Sequence, residues 1–251
     1  GWVSGSCLHC RPCVSGDHNL CVRAESTIVG RYGGFATKVR ADWIWANPIP
    51  EGVDAGRAGP LMCGGITVFN PIVRNEVKPT DRVGVIGIGG LGHLALKFLN
   101  KWGCEVTAFT SSDDKADEAR SMGAHHVVNS RRPEALDAVR GAYDFIISTV
   151  NVPLDWNRYL GALKPRGKLV MVGAVLEPMQ IPAFGLISGE KAVAGSPVGS
   201  PSVILDMLDF CARHGIAPTT EHFPMSKANE AIAHLESGKA RYRIVLSNDL
   251  N

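Results

Sequence analysis

The chain has no apolar run long enough to cross a membrane, because Gly87, Gly89, Gly90 and Gly92 interrupt its most hydrophobic stretch. It has no excess of one charge: 26 Lys and Arg face 24 Asp and Glu, for a net charge of +2. Nor is there a basic block, so neither nucleic acid nor an anionic membrane is suggested as a partner. No internal repeat or low-complexity segment interrupts the 251 residues, which sets aside a repeat array. The chain has no initiator Met and no visible signal or transit peptide, and its start at Gly1 on apolar Trp2 and Val3 reads as cut rather than begun. What is present is 45% hydrophobic, enough for a large core and for an enzyme of one long domain or a domain and a half.

Four of the seven cysteines crowd into the first 21 residues, as Cys7, Cys10, Cys13 and Cys21 in a C-x2-C-x2-C-x7-C array. Thiolates two residues apart can turn around one ion, and a fourth arriving after a short loop closes the tetrahedron that structural Zn²⁺ favours. A closed set of this kind holds structure and leaves no position for substrate. The alternative is a pair of disulfides, which requires an oxidising compartment; the zinc reading goes with a cytoplasmic location. Cys104 and Cys211 fall in strand-like and helix-like patterns and are expected as small buried side chains.

A second motif lies between Arg82 and Trp102. Val83, Val85 and Ile86 make a short buried strand, Gly87-Ile88-Gly89-Gly90-Leu91-Gly92 gives GxGxxG, and His93 to Leu99 continue at helical spacing. Gly87 permits a tight turn, Gly89 lets the backbone approach a pyrophosphate, and Gly92 lets the helix pack closely on the strand. The helix N-terminus would then face the phosphates. A further strand, Glu105 to Thr110, follows at the distance a dinucleotide site requires. At its end an NAD site carries Asp or Glu for the ribose 2′-OH; this chain has Ser111 and Ser112, followed by Lys115. Hydroxyls and an ammonium suit a 2′-phosphate, so the expected cofactor is NADP(H). Asp113 and Asp114 compete with that reading unless they serve as favourable negative charge at the start of the next helix.

Beyond this, strand-like Val127 to Asn129, Phe145 to Ser148 and Lys168 to Gly173 alternate with helical patterns near Asp113 to Met122, Glu134 to Val139 and Asp155 to Leu163. That is the rhythm of a doubly wound parallel sheet. Helices near Ser202 to His214 and Ser226 to Glu236, with a last strand from Tyr242 to Leu246, leave the alternation and are expected to return to another domain. The glycine-rich stretch Gly52 to Gly65 reads as a connection between domains.

The four-cysteine lobe, then Met62-Cys-Gly-Gly-Ile-Thr-Val68, then strand-GxGxxG-helix, resembles the medium-chain zinc-dependent alcohol dehydrogenases. Gly87 to His93, the Ser111-Ser112 pair, Gly195-Ser-Pro-Val-Gly-Ser200, Leu208 to Gly215 and Arg241-Tyr-Arg243 are similar to the cinnamyl alcohol dehydrogenase branch. The resemblance implies an α/β fold, a Rossmann doubly wound parallel sheet plus a partial GroES-like catalytic domain. Its boundaries would be 1–65 for the partial catalytic domain with the zinc lobe, 66–195 for the NADP-binding domain and 196–251 for the return.

It also implies roles for individual residues. Cys63 matches one cysteine ligand of a catalytic zinc, against the alternative of a buried structural cysteine. Thr67 matches a position that touches nicotinamide, Thr149, Val150, Val172 and Ala174 line the nicotinamide side, and Ser196 and Ser200 line the cleft between domains. Trp43, Trp45 and Phe69 could wall a substrate pocket, with ordinary core or interface packing the favoured alternative. In the family a preceding segment supplies another cysteine ligand, a Gly-His-Glu stretch and a proton-relay hydroxyl. These are not among the 251 residues, so the chain is expected to be a fragment, inactive by itself. The complete protein would be a homodimer transferring hydride from NADPH to aldehydes, or the reverse from primary alcohols, with zinc polarising the oxygen. A non-catalytic NADP-binding fragment is one alternative. A zinc-free quinone reductase is another, though it would have no reason to carry the four-cysteine lobe.

Overall fold

The computed structural model describes residues 1–250, and their contacts divide the chain into two compact units. One comprises Gly1–Asn70 with the segment from Pro197 onward, and the other is Pro71–Ser196.

The first unit opens with β1 (Val3–Gly5), the single helical turn α1 (Arg11–Val14) and β2 (Glu25–Ser26), which pairs antiparallel with β1. Gly52 to Gly65 does not form a bare connection. Asp54 caps α2 (Ala55–Ala58) by accepting from the Gly56 N–H at 2.9 Å, a 3₁₀ turn follows over Gly59–Met62, and α3 (Gly64–Arg74) begins at once. The glycines there allow close packing: a Cβ on Gly65 would meet Leu61 and Met207 at 3.1 Å. Along α3 one unit gives way to the other.

The second unit holds β3 (Arg82–Ile86), α4 (Gly92–Trp102), β4 (Glu105–Thr110), α5 (Ala116–Ser121), β5 (His126–Asn129), α6 (Pro133–Asp137), β6 (Tyr143–Ser148), α7 (Trp156–Ala162), β7 (Leu163–Met171), α8 (Ala183–Ile187) and β8 (Ala192–Gly195). All six strands are parallel, in the order β5-β4-β3-β6-β7-β8. This is the doubly wound order of a dinucleotide-binding sheet, and its direction of winding reverses between β3 and β6. The central strands are apolar on both faces because helices cover both. On one face Phe109 packs edge-on against Tyr143 and Tyr159, with ring centroids 5.5 and 5.4 Å apart. Gly84 makes room for that ring, since a Cβ there would lie 2.6 Å from it. Leu94, Leu96, Phe98 and Leu99 of α4 are fully buried. Helix α4 stops at Gly103, whose φ of +106° is the left-handed conformation that closes a helix.

The chain then re-enters the first unit through α9 (Pro201–His214), β9 (Thr220–Pro224), α10 (Ala228–Glu236) and β10 (Arg243–Ser247), with β9 and β10 pairing in parallel. Asn19 Nδ2 ties the cysteine lobe to this returning segment through the Val198 carbonyl at 2.6 Å. No helix among the described residues is long and apolar enough to cross a membrane.

Several expected bounds shift. The strand expected over Lys168 to Gly173 begins at Leu163 and ends at Met171, leaving Val172 and Gly173 beyond it. The helix expected from Asp113 starts as a 3₁₀ turn over Asp113–Lys115 and becomes α-helical only at Ala116. The helix expected over Glu134 to Val139 is Pro133–Asp137. Strands β8 and β9 have no counterpart in the sequence reading: Ala192–Gly195 is too small and Thr220–Pro224 too polar to stand out as a buried strand.

Ile146 sits at the middle of β6 and is fully buried. Ile146→Ala is expected to cost about 2–5 kcal/mol in a denaturant titration, with the metal content of the cysteine lobe unchanged, because that lobe belongs to the other unit.

Candidate functional site

At the carboxyl ends of β3, β4, β5 and β6, where the winding reverses, the second unit opens a cleft of about 520 Å³. Gly87, Ile88, Gly89, Gly90 and Leu91 form one wall, Thr149 and Val150 another, and Phe109, Thr110, Ser111, Lys115, Ser130 and Arg131 the far end. The three motif glycines have separable tasks. Gly87 has φ +86°, and a Cβ there would lie 2.5 Å from Val150. A Cβ on Gly92 would lie 1.8 Å from the Gly87 carbonyl oxygen, so only glycine lets α4 start against the turn. A Cβ on Gly89 meets nothing within 4 Å, so this residue keeps the cleft floor open. The turn is braced from behind: Thr149 Oγ1 donates to the carbonyls of Ile86 and Gly87, both at 2.9 Å. His93, fully buried, contacts the Gly89 carbonyl through Nδ1 at 2.9 Å. The glycine turn and the start of α4 make a fit cradle for a nucleotide pyrophosphate.

Lys115 and Arg131 are the two charged residues of the cleft lining, which contains no Asp or Glu. The two nearby aspartates are occupied elsewhere. Asp113 accepts from Asn129 Nδ2 at 3.0 Å and from Arg132 at 2.5 Å. Asp114 is held below the usual carboxylate range, chiefly by a hydrogen bond from Ser112. Ser112 therefore supports Asp114 and does not line the cleft, whereas Ser111 does.

In the first unit the Sγ atoms of Cys7, Cys10, Cys13 and Cys21 all lie within 4.8 Å of one another. Cys7 and Cys13 are 3.9 Å apart and Cys10 and Cys13 3.5 Å. Disulfide sulfurs would stand about 2.05 Å apart, and all seven cysteines are free. Four sulfurs at about 2.3 Å from a shared ion would stand about 3.8 Å from each other. Backbone N–H groups point at the sulfurs: Cys10 to Cys7 at 3.3 Å, Cys7 to Cys21 at 3.5 Å and Arg23 to Cys21 at 3.4 Å. Such donors, led by the His9 N–H, hold the Cys7 thiol down to about 5. Cys10 is pushed up to about 12: the Cys13 N–H favours its thiolate, but burial and the neighbouring thiols outweigh it. Four thiolates this close cannot all ionise without a cation among them, and the set fits Zn²⁺ in number, spacing and softness.

A model of the zinc-binding dehydrogenase family matches residues 90–213. Over all 251 residues the chain is 57% identical to the aldehyde reductase AdhA of Synechocystis, of whose length it spans 75%. The chain belongs to the zinc-binding dehydrogenases. Among solved structures, the cinnamyl alcohol dehydrogenase of Sorghum bicolor superposes with a TM-score of 0.88 at 35% identity, covering 98% of this chain and 73% of that one. The cinnamyl alcohol dehydrogenase of Helicobacter pylori, solved with NADP(H), gives 0.86 at 29% identity, covering 98% and 73%. The α/β Rossmann-type sheet expected from sequence is thus the fold of this dehydrogenase.

Other expected residues of the dehydrogenase lie outside the cleft. Val172 and Ala174 are in its unit, just past β7, and Ser196 follows β8, yet none of the three lines it. Gly92 stands behind the turn. In the first unit, Thr67 is buried on α3, and its N–H donates to the Cys63 carbonyl at 3.0 Å. Cys63 itself is exposed, against the alternative of a buried structural cysteine. The Arg243 guanidinium lies beside it, over Gly64, where a Cβ would come within 2.5 Å; burial lowers the Arg243 pKa and Cys63 partly offsets this. Ser200 is fully buried, with its hydroxyl 2.9 Å from that of Ser202. Trp45 and Phe69 are packed in the core, and Trp43 is 79% exposed, outside the core of this chain. Cys104 and Cys211 are buried, and burial raises each thiol to about 12.

The sequence reading missed Ser130 and Arg131. Their only signal is position: they directly follow a strand, as Ser111 does.

Three substitutions check these assignments. Cys10→Ser should release the metal of the lobe, read by metal analysis of the purified chain, because structural zinc contributes folding free energy directly. Gly89→Ala should leave the melting temperature nearly unchanged while weakening nucleotide binding. Gly92→Ala should instead destabilise the sheet unit by about 1–3 kcal/mol or more, from overpacking against the Gly87 carbonyl.

Proposed function

We propose that this dehydrogenase catalyses NADP(H)-linked interconversion of aldehydes and primary alcohols, aromatic or medium-chain ones among them. The observation that carries the cofactor choice is the far end of the cleft, where Ser111, Lys115 and Arg131 stand with no carboxylate among the lining residues. A ribose 2′-phosphate gains hydroxyl and cationic partners there, whereas an NAD site would place an acid. The Helicobacter relative solved with NADP(H) supports the same choice. The names of the Synechocystis and Sorghum relatives support the substrate class.

Bound NADPH supplies a hydride for a carbonyl carbon. The residues of this chain hold that cofactor: the turn at Gly87 to Gly92 receives the pyrophosphate, Thr149 keeps the turn rigid, and Thr149 and Val150 line the way toward the nicotinamide. In the sheet unit Val172, Ala174 and Ser196, just past β7 and β8, belong to the nicotinamide side in this reading; Thr67 and Ser200 keep the roles toward the cofactor that the family resemblance implies for them. The four-thiolate lobe is a closed structural zinc site. Cys63 serves as a single thiolate ligand toward a catalytic zinc. Among the described residues it belongs to no cluster of three His, Cys, Asp or Glu. These residues alone therefore do not make an open catalytic site, which needs three protein ligands. In domain terms, 66–195 is the nucleotide-binding part, and 1–65 with 196–251 is part of a GroES-like catalytic domain. The working form is a cytoplasmic homodimer.

Titration should show tighter binding of NADPH than of NADH, and Ser111→Asp should reverse the order by repelling the 2′-phosphate and accepting from the 2′-OH. Equal affinities in the unaltered chain would refute the cofactor assignment. The 251-residue chain should bind nucleotide but show no turnover of benzaldehyde or cinnamaldehyde. Joined to a family-like upstream segment with the further zinc ligands, it should gain activity that Cys63→Ala abolishes.

A further inference from the structure

The cleft contains a cation that the sequence motif does not include. We propose that Arg131 is a specificity-determining residue that, with Lys115 and Ser111, forms the subsite for a ribose 2′-phosphate; this rests on the NADP(H) reading above.

A phosphate monoester carries about −1.5 to −2 charge at neutral pH. Lys115 answers it with one compact charge, which leaves much of the phosphate uncompensated. Arg131 lines the same end of the cleft, is exposed, and makes no ion pair among the described residues, whereas its neighbour Arg132 does. Its planar fork suits bidentate contact with phosphate oxygens, which an ammonium cannot reproduce.

The backbone that carries it is fixed. Ser130 donates to the Thr110 carbonyl through its N–H at 2.7 Å and through Oγ at 2.8 Å, joining the end of β5 to the end of β4. The Arg131 N–H donates to Asn129 Oδ1 at 3.0 Å. Arg131 is thus anchored next to the strand end that presents Ser111, while its side chain stays uncommitted.

The two adjacent arginines divide the charges between them. Arg132 pairs with Asp113 at 2.5 Å, and Asn129 bonds the same carboxylate. The acid closest in sequence to Ser111 and Ser112 is therefore neutralised outside the cleft, and Arg131 remains for the ligand. Had Arg131 taken Asp113 instead, the cleft would hold one cation.

The test measures dissociation constants of the purified chain for NADPH and NADH, and for the fragments 2′,5′-ADP and 5′-AMP, in wild type, Arg131→Gln and Arg131→Lys. Arg131→Gln should weaken NADPH and 2′,5′-ADP by about tenfold or more, the size of a lost charge-assisted hydrogen bond, and leave NADH and 5′-AMP within about twofold. Arg131→Lys should recover part of the loss. Equal weakening of NADPH and NADH would overturn the inference, since it would mean that Arg131 acts on the shared part of the nucleotide. A wild-type preference for NADPH that survives Arg131→Gln would overturn this inference and leave the NADP(H) reading standing. A wild type without preference would remove both.

Discussion

The contact between the start of α4 and the turn that precedes it governs the nucleotide-binding unit. With the Gly87 carbonyl 1.8 Å from where a Cβ of residue 92 would be, the helix can begin where it does only because residue 92 has no side chain. That closeness aims the helix start at the cleft, and the parallel sheet fixes what stands opposite. Strand ends β4 and β6 are the neighbours of β3, so Ser111 and Thr149 flank the turn by topology. Thr149 then returns two hydrogen bonds to the turn carbonyls, which makes the cradle rigid before any ligand arrives.

Electrostatics at the far end depends on allocation more than on composition. The segment 111–115 holds two acids and one base, and 129–132 adds two bases. By count the region is close to neutral. Pairing separates the signs: Asp113 goes to Arg132 and Asn129, Asp114 to Ser112, and the cleft is left with cations alone. Sequence order could not predict this, because the partners come from two different strand ends.

What could be read from the sequence follows the same line between local and distant causes. The four-thiol cluster and the glycine turn were legible because each depends on spacing within a few residues, and the apolar strands because both their faces are covered. Strands β8 and β9 were not, since a run such as Ala192 to Gly195 forms a strand through its pairing with β7 and not through its own side chains. Gly52 to Gly65 misled for a related reason. Glycine in isolation signals a break, yet at Gly64 and Gly65 it admits Arg243 and Met207 from the far end of the chain. Arg131 was missed because nothing in a Ser-Arg-Arg run says which arginine is already paired.

The division of the chain also sets an order of events during synthesis. The sheet unit is one unbroken stretch, so once Ser196 has left the ribosome every strand it needs is present. The other unit cannot finish until α9, β9 and β10 have followed, and residues 1–70 must wait through the whole of the sheet unit's synthesis. Within that waiting segment the four thiols are exceptional. They close loops of only a few residues, so zinc can organise them early at little entropic cost. The metal lobe would then protect its part of an otherwise unfinished unit, and a shortage of zinc during translation would leave that segment unprotected for as long as the sheet unit takes to emerge.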